Sequence, residues 1–504
     1  MIIMKRYIFL FAIISIAVSS CTKDLKDLNV NPNSPTSISP GPLMTYVELE
    51  TAQQCDRRSS VGFCMMFVQQ TASLLTDDLE GDKYLKSINE GELFDFTYQN
   101  ITPELSSLLS MTRDNPDQSN DYWMAMIWRV LVYSRLTDVY GDIPYSEAGK
   151  GYTNQIYKPA YDNQQNIYTS MLQELDSAAQ ELDPLKATMG NADIVYSGNI
   201  SQWKKLAYSL MLRIGMHLSK VTPDQAQQWV QKALAGGVIM NNSDNCYINQ
   251  LNVYNQPQAN PISFFFKKFN ILSLGDIKIS NTFLTYLNMT QDPRLPVYCS
   301  LPNGDNTPAN QKGLPNGYDA QSIAGYPGGA DLSTYSTFNA NYILPLGAPT
   351  FLVTAAEDQL LLAEASARGW ISGNAQTYYV NAVQASMSQM SLYGATISPL
   401  QTAAYLALNP YPAGGTLNQQ IQTIANQYWV STFMDGYASY DNWRRTGYPV
   451  LTPVNYTGNA SNGTIPRRLA YPQDEYSVNG TNVQAAIQQQ GPDNYTTRVW
   501  WDKQ

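Results

Sequence analysis

Residues 122–148 read YWMAMIWRVLVYSRLTDVYGDIPYSEA. Trp123, Met126, Ile127, Val130, Leu131 and Ser134 follow the i, i+3, i+4, i+7 spacing of an α-helix. Trp128, Val132 and Leu136 form a second apolar stripe. A helix apolar on two sides is buried on two sides, so this stretch predicts a central helix. Gly141 supplies the break after Val139 and Tyr140, and Pro144 blocks a restart in the same direction. Arg129, Arg135, Asp138 and Asp142 lie on or just after this apolar helix. Buried charges must pair, so they are expected to lock the helix end to the turn.

The chain around it has 504 residues, enough for several domains or one large helical array. Charged residues make up 14 %, below the roughly 25 % usual in soluble proteins. Polar uncharged residues and 35 tyrosines take their place. The net charge of −10 excludes nucleic-acid binding, which needs a basic face. The single histidine, His217, excludes a His-rich metal centre, and no cofactor motif is present. His217 lies in the helical run LAYSLMLRIGMHLSK (206–220) and is expected to be a packed helix residue.

The N-terminus reads as a processing segment, residues 1–20. Lys5 and Arg6 precede an apolar run from Tyr7 to Val18, and Ser19 and Ser20 lead to Cys21. About a dozen apolar residues fall short of the ~20 needed to span a bilayer. Small residues directly before Cys21 resemble a bacterial lipoprotein box; the alternative is an ordinary secretory signal. The resemblance implies that Cys21 is lipidated and that the chain is held on a membrane by acyl chains alone. Four cysteines remain, Cys55, Cys64, Cys246 and Cys299. On a continuous helix Cys55 and Cys64 would stand about 13 Å apart and on opposite sides, so they cannot bond to each other. No CxxC occurs, and buried free thiols are expected.

Residues 21–42 form a Pro/Asn/Ser-rich tether. Residues 43–504 read as one domain. Its helical scaffold covers 43–237 and 350–446, and its mainly loop-rich segments are 238–349 and 447–504. Helical patterns include Leu43–Leu75, the central helix, Ile167–Leu182, Ser201–Leu218, residues 374–391 and Leu417–Phe433. Thr222-Pro223-Asp224-Gln225 and Thr354-Ala355-Ala356-Glu357 read as capping boxes. Small residues such as Ala363, Ala365 and Ala367 suggest close helix pairing. The fold class is mostly α: stacked tetratricopeptide-like helix pairs, with an irregular face of loops and short strands.

No HExxH, GxSxG, GxGxxG or P-loop is present, so no catalytic residue is assigned. A glycosidase carboxylate pair has no fixed spacing along the chain, so a surface glycan hydrolase stays an alternative, as does a structural or adhesive role. The oxygen-rich run 241–245 lacks the EF-hand order and its closing Glu, and no metal site is assigned. Aromatic faces and amides on loops favour binding of sugar rings or peptides. The stretch TDDLEGDKYLKSINEGELFDFTYQN (76–100) reads as a long polar, aromatic loop. Candidate ligand residues are Tyr84, Phe94, Tyr98, Asn100 and Arg113 from the 76–118 loop, and Tyr254, Tyr318, Tyr326 and Tyr335 from the middle region.

Several blocks, in one order from Cys21 nearly to the end, resemble the SusD/RagB family of nutrient-binding outer-membrane lipoproteins. They are LNVNPN (28–33), LTDVYGDIPYSEA (136–148), YDNQQNIY (161–168), WKKLAYSLMLRIGMHLS (203–219), DPRL (292–295), LLLAEASARGW (360–370), NWRRTGYP (442–449) and IPRRLAYPQDEYSVN (465–479). The resemblance implies four tetratricopeptide-like helix pairs under a ligand-binding face, and a protein that is not an enzyme. It implies a hinged lid on a SusC-like TonB-dependent barrel transporter, facing the cell exterior, that captures oligosaccharides or peptides. The matching blocks are expected to be scaffold, with Arg444, Arg445, Arg467 and Arg468 paired to acids such as Asp441 and Glu475.

Overall fold

A computed structural model describes residues 39–56, 58–268 and 277–503. The signal segment, Cys21 and most of the 21–42 tether lie outside the described residues.

The architecture is mostly helical, and its long helices pack in pairs. Helix α1 (Pro40–Gln53) lies on α2 (Thr102–Thr112). The pair α3 (Ser119–Tyr140) and α4 (Gln164–Glu181) follows, then α5 (Ile200–His217) with α6 (Pro223–Gly236). After the loop-rich middle come α7 (Ala355–Ala367) with α8 (Ala375–Ser388), and α9 (Leu417–Ser431) with α10 (Gly436–Thr446). Contacts of α4 with α5, of α5 with α7 and of α7 with α9 stack the pairs into one array. Among the described residues three two-stranded antiparallel sheets complete the fold. Strand β1 (Thr71–Ala72) pairs with β3 (Lys278–Ile279), β2 (Cys246–Ile248) with β6 (Thr350–Val353), and β4 (Cys299–Ser300) with β5 (Thr337–Phe338).

Helix α3 is the central element that its double stripe predicts. Every residue from Val130 to Tyr140 is buried. Gly141 ends it at φ +85°, where Thr137 O accepts the Gly141 N–H at 2.7 Å. Its charges do pair, but mostly with other elements. Arg129 alone reaches the turn, donating to Tyr145 O at 2.9 Å while it grips Glu174 of α4. Arg135 bonds Asp435 at 3.0 Å, and Asp138 accepts the Trp501 indole N–H at 3.0 Å. Asp142 accepts the Gln164 N–H at the start of α4, at 2.8 Å.

Local signals decide most helix starts. Asn163, Asn199, Thr354, Asn374, Thr416 and Asp435 each accept a first-turn N–H of the helix that follows. Two expected capping boxes are incomplete. Thr222 makes no side-chain cap, and Pro223 alone starts α6. Thr354 caps α7, but the Glu357 carboxylate turns away to Arg213.

Two further expectations are corrected. The 43–75 helix ends at Gln53 and continues as a 3-10 turn, a π-helix over Ser59–Cys64 and a short turn to Phe67. The widened turn lies where Gly81 crosses it: a Cβ on Gly81 would stand 2.1 Å from Gly62 O. Cys64, Cys246 and Cys299 are free and buried, and Cys55 is buried with its sulfur accepting from Arg135 Nη1 at 3.4 Å. The 76–118 loop is largely helical from Glu92 to Thr112. Leu93, Thr97, Ile101, Leu105 and Leu108 recur at helical spacing and are buried, which outweighs the polar residues between them.

The stack is fastened by acids of α7. Glu357 is 2 % exposed and takes a two-pronged bond from Arg213 of α5, 2.6 Å on each side. Asp358 accepts Ser209 Oγ at 2.5 Å and the Ile239 N–H at 3.0 Å. Glu364 takes both Nη groups of Arg445 from α10 at 2.6 Å, and Arg368 at 2.9 Å. At the C-terminus Arg444 pairs with Asp441 as expected, whereas Arg467 pairs with Asp502 and Arg468 with Asp493. Glu475 pairs with no arginine among the described residues; it accepts the Tyr161 hydroxyl at 2.7 Å.

Burial raises the Glu364 carboxyl, but Arg445 and then Arg368 outweigh it and hold the group down to about 2, against an ordinary 4.5. A depressed carboxyl stabilises the fold above its unfolded pKa and loses that contribution as pH falls through the folded one. Glu364→Gln should therefore cost roughly 3 kcal/mol at pH 7 in urea unfolding, and the gap to wild type should narrow from pH 4.5 toward about 2. Equal stability of the two proteins at pH 7 would contradict the clamp.

Candidate functional site

Segments 71–84, 312–338 and 452–464 meet on the loop-rich side, and backbone bonds hold them there. Ser336 O accepts the Ile279 N–H of β3 at 2.9 Å, and the Ser336 N–H donates to Lys312 O at 2.7 Å. The Leu314 N–H donates to Ile279 O at 2.9 Å. Asn316 Nδ2 donates to Thr71 O of β1 at 2.7 Å, and Ser280 Oγ donates to Asn316 Oδ1 at 2.6 Å. Below lies a buried ion pair, Lys83 Nζ to Asp82 Oδ1 at 2.7 Å. The second Asp82 oxygen accepts the Gly317 N–H at 3.2 Å. Gly317 has φ +82°, and a Cβ there would stand 2.2 Å from Val454 Cγ1, so the two loops touch backbone to side chain at this point.

On this base stands a tyrosine face. Ala72, Leu74, Leu314, Ile323 and Tyr335 make a small apolar cluster of their own, with Tyr318, Tyr326 and Leu332 packed on it. The half-buried rings of Tyr318 and Tyr326 lie 5.9 Å apart, tilted by 50°. Tyr456 donates its hydroxyl to Asp319 in a short bond. That bond first, then the backbone and hydroxyl of Ser322, holds the Asp319 carboxyl well below the ordinary range. The same bond pushes the Tyr456 hydroxyl up to about 12. Asp331 is held down by the Ser333 hydroxyl and N–H. Both carboxylates are ionised at neutral pH and act as acceptors.

The sequence-derived candidates separate into four places. Tyr318 and Tyr326 form the face itself. Tyr335 and Tyr84 support it: both are fully buried, Tyr335 donating to Gly329 O at 3.0 Å and the Tyr84 hydroxyl accepting the Val454 N–H at 3.2 Å. Phe94, Tyr98 and Asn100 lie elsewhere, on the 92–112 helical stretch. Phe94 packs against Tyr98 and Tyr140, Tyr98 donates to Pro144 O, and Asn100 donates to Phe96 O at 3.2 Å. Phe94 and Tyr98 seal the end of α3, and Asn100 bonds only within its own helical stretch among the described residues. Arg113 lines a separate cavity of about 510 Å³ beside α2 and α3. Tyr254 is exposed on its own loop, stacked on Phe264 at 4.8 Å. Tyr456, Asp319 and Asn316 are not among the sequence-derived candidates; Tyr456 sits in a loop-rich tail whose composition matches that of the middle region.

Among the described residues one group could converge on a metal ion, Asp138, His217 and Asp441, all buried. Each member already has a partner. Asp138 accepts Tyr168 and Trp501, the Tyr168 hydroxyl also meets His217 Nδ1 at 2.9 Å, and Asp441 is paired to Arg444. The 241–245 run is likewise spent on packing: Asp244 binds Lys205 at 2.8 Å, and Asn245 accepts the Ala355 N–H at 2.7 Å. No helix among the described residues is long and apolar enough to cross a membrane.

Stacked helix pairs that carry a pinned, tyrosine-rich loop face define a class of binding proteins. The chain belongs to the SusD-like family, whose model, described as starch-binding and associating with the outer membrane, matches residues 32–472. Members of this family are binding proteins rather than enzymes. Among solved structures, a chitin-binding protein is 31 % identical with a TM-score of 0.80, the match covering 92 % of this chain and 100 % of that one. A chitin-binding SusD homologue from Flavobacterium johnsoniae is 26 % identical with a TM-score of 0.77, over 92 % and 97 %. A Bacteroidetes SusD-like protein is 25 % identical with a TM-score of 0.82, over 93 % and 100 %. No curated protein matches the chain.

The face depends on Gly317. Gly317→Ala should strain the left-handed turn and push Val454 away, which loosens the 312–335 loop by about 1–2 kcal/mol. Trypsin cleavage after Lys312 should then speed up roughly tenfold, with far-UV circular dichroism unchanged. Cleavage at the wild-type rate would show that the loop is held some other way.

Proposed function

We propose that the protein captures oligosaccharides on the tyrosine face and passes them to a SusC-like TonB-dependent barrel, over which it closes as a hinged lid. The observation that carries this is the pair of half-buried rings, Tyr318 and Tyr326, fixed beside the Tyr456–Asp319 bond. Ring faces take the apolar faces of sugars, and fixed ionised carboxylates accept their hydroxyls. The chitin-binding names of two structural relatives make β-linked N-acetylglucosamine chains the first ligand to try. A hydrolase needs one carboxyl kept protonated as an acid, and the depressed Asp319 and Asp331 are unsuited to that. Attachment through a lipidated Cys21, on the outer side of the outer membrane, completes the proposal.

Calorimetry of the purified chain with chitohexaose tests it. Tyr318→Ala combined with Tyr326→Ala should weaken binding at least about tenfold, the loss of roughly 1.4 kcal/mol or more of contact. The thermal midpoint should hardly move, since both rings are half-exposed. Unchanged affinity in the double variant would remove the face from the proposal. Binding of peptides with no neutral glycan bound would move the ligand class, and shortened products in the cell would overturn a pure binding role. Extraction of the outer membrane in mild detergent should bring a large barrel along with the protein.

A further inference from the structure

The cavity beside α2 and α3 differs in chemistry from the tyrosine face. It encloses about 510 Å³, within the range of roughly 300–1,000 Å³ usual for small-ligand sites. Helices α2, α3 and α4 and the 145–154 segment wall it. Three cations and one carboxylate line it, Arg113, Arg129, Lys150 and Glu174, in a chain whose net charge is −10.

Arg129 forms a fixed part of the lining. Its Nη1 donates to both Glu174 oxygens at 2.8 and 2.9 Å, its Nη2 donates to Tyr145 O at 2.9 Å, and its guanidinium lies 3.9 Å from the Tyr145 ring centre. Glu174 balances that charge. Arg113 and Lys150 are different: both are exposed and neither has an ion-pair partner among the described residues. Tyr122 and Ser170 also line the cavity, and their side chains have no hydrogen bond among the described residues. Two cations with no ion-pair partner among the described residues share the lining with a pinned guanidinium, serines and tyrosines, and this set suits a ligand that is both polyhydroxylated and negatively charged.

We propose that this cavity is a second saccharide site, and that it takes a pyranose bearing a carboxylate, held by Arg113 and Lys150. The inference extends the saccharide-binding reading but rests on other residues. Calorimetry of the purified chain should use oligogalacturonate and oligomannuronate trimers, each beside its uncharged methyl ester. At least one acid should bind, its ester at least about tenfold more weakly, and salt should weaken the acid alone. Arg113→Ala with Lys150→Ala should lose about tenfold or more on that acid, with the same melting temperature and unchanged chitohexaose binding. Acid and ester binding alike, no binding of either acid, or an unaffected double variant would overturn the proposal. Chitohexaose failing to bind while the acid binds would remove only the role of the tyrosine face.

Discussion

Three buried acids on one helix hold the array together. Glu357, Asp358 and Glu364 of α7 face Arg213, Ser209 and Arg445 from helices on either side. Each acid would be costly to bury alone, so helix order and register are tied to these contacts. Slide α7 against α5 or α10, and a charge is left in the core without its partner. Apolar packing supplies most of the stabilisation, yet it is tolerant of small shifts; two-pronged guanidinium–carboxylate bonds are not. This chain has few charges and places many of them inside, where they set geometry.

The loop-rich side uses a different device. Its strands are buried but only two to four residues long, so few ladder bonds form and the backbone is pinned by side-chain amides and one buried ion pair. Asn316 bridges β1 to the residue after β3, and Asp82 ties the 71–84 segment to Gly317. Tyr84 and Tyr335 are spent on support, which leaves Tyr318, Tyr326 and Tyr456 to face outward on a stiff base. Preorganised rings lose little freedom when a ligand arrives, and this is why loops on a rigid frame serve as binding surfaces.

Periodicity made the helical scaffold legible. The double stripe of α3, the Thr354 cap of α7 and the glycine break at 141 all correspond to features of the fold. What stayed hidden was of two kinds. Asp95, Gln99 and Asn100 on the outer side of the helical stretch 92–112 give it the polar composition of a loop. Ion-pair partners were hidden by distance along the chain: nothing near Arg445 in sequence points to Glu364, and Glu475 was the nearer but wrong partner for the C-terminal arginines. The site was half legible for the same reason. Composition picked out Tyr318 and Tyr326, but only the fold shows that Tyr84 is a strut, that Phe94 and Tyr98 close a helix end, and that Tyr456 completes the face.

The central claim is that a rigid helical stack presents a separate loop surface to its saccharide. Hydrogen–deuterium exchange with and without chitohexaose reads both halves at once. Amides of α3, α5 and α7 should exchange slowly in either state, while new protection appears only in 312–335 and 452–464. Protection that appears instead across the helix pairs, or fast exchange in α7 without ligand, would contradict the account.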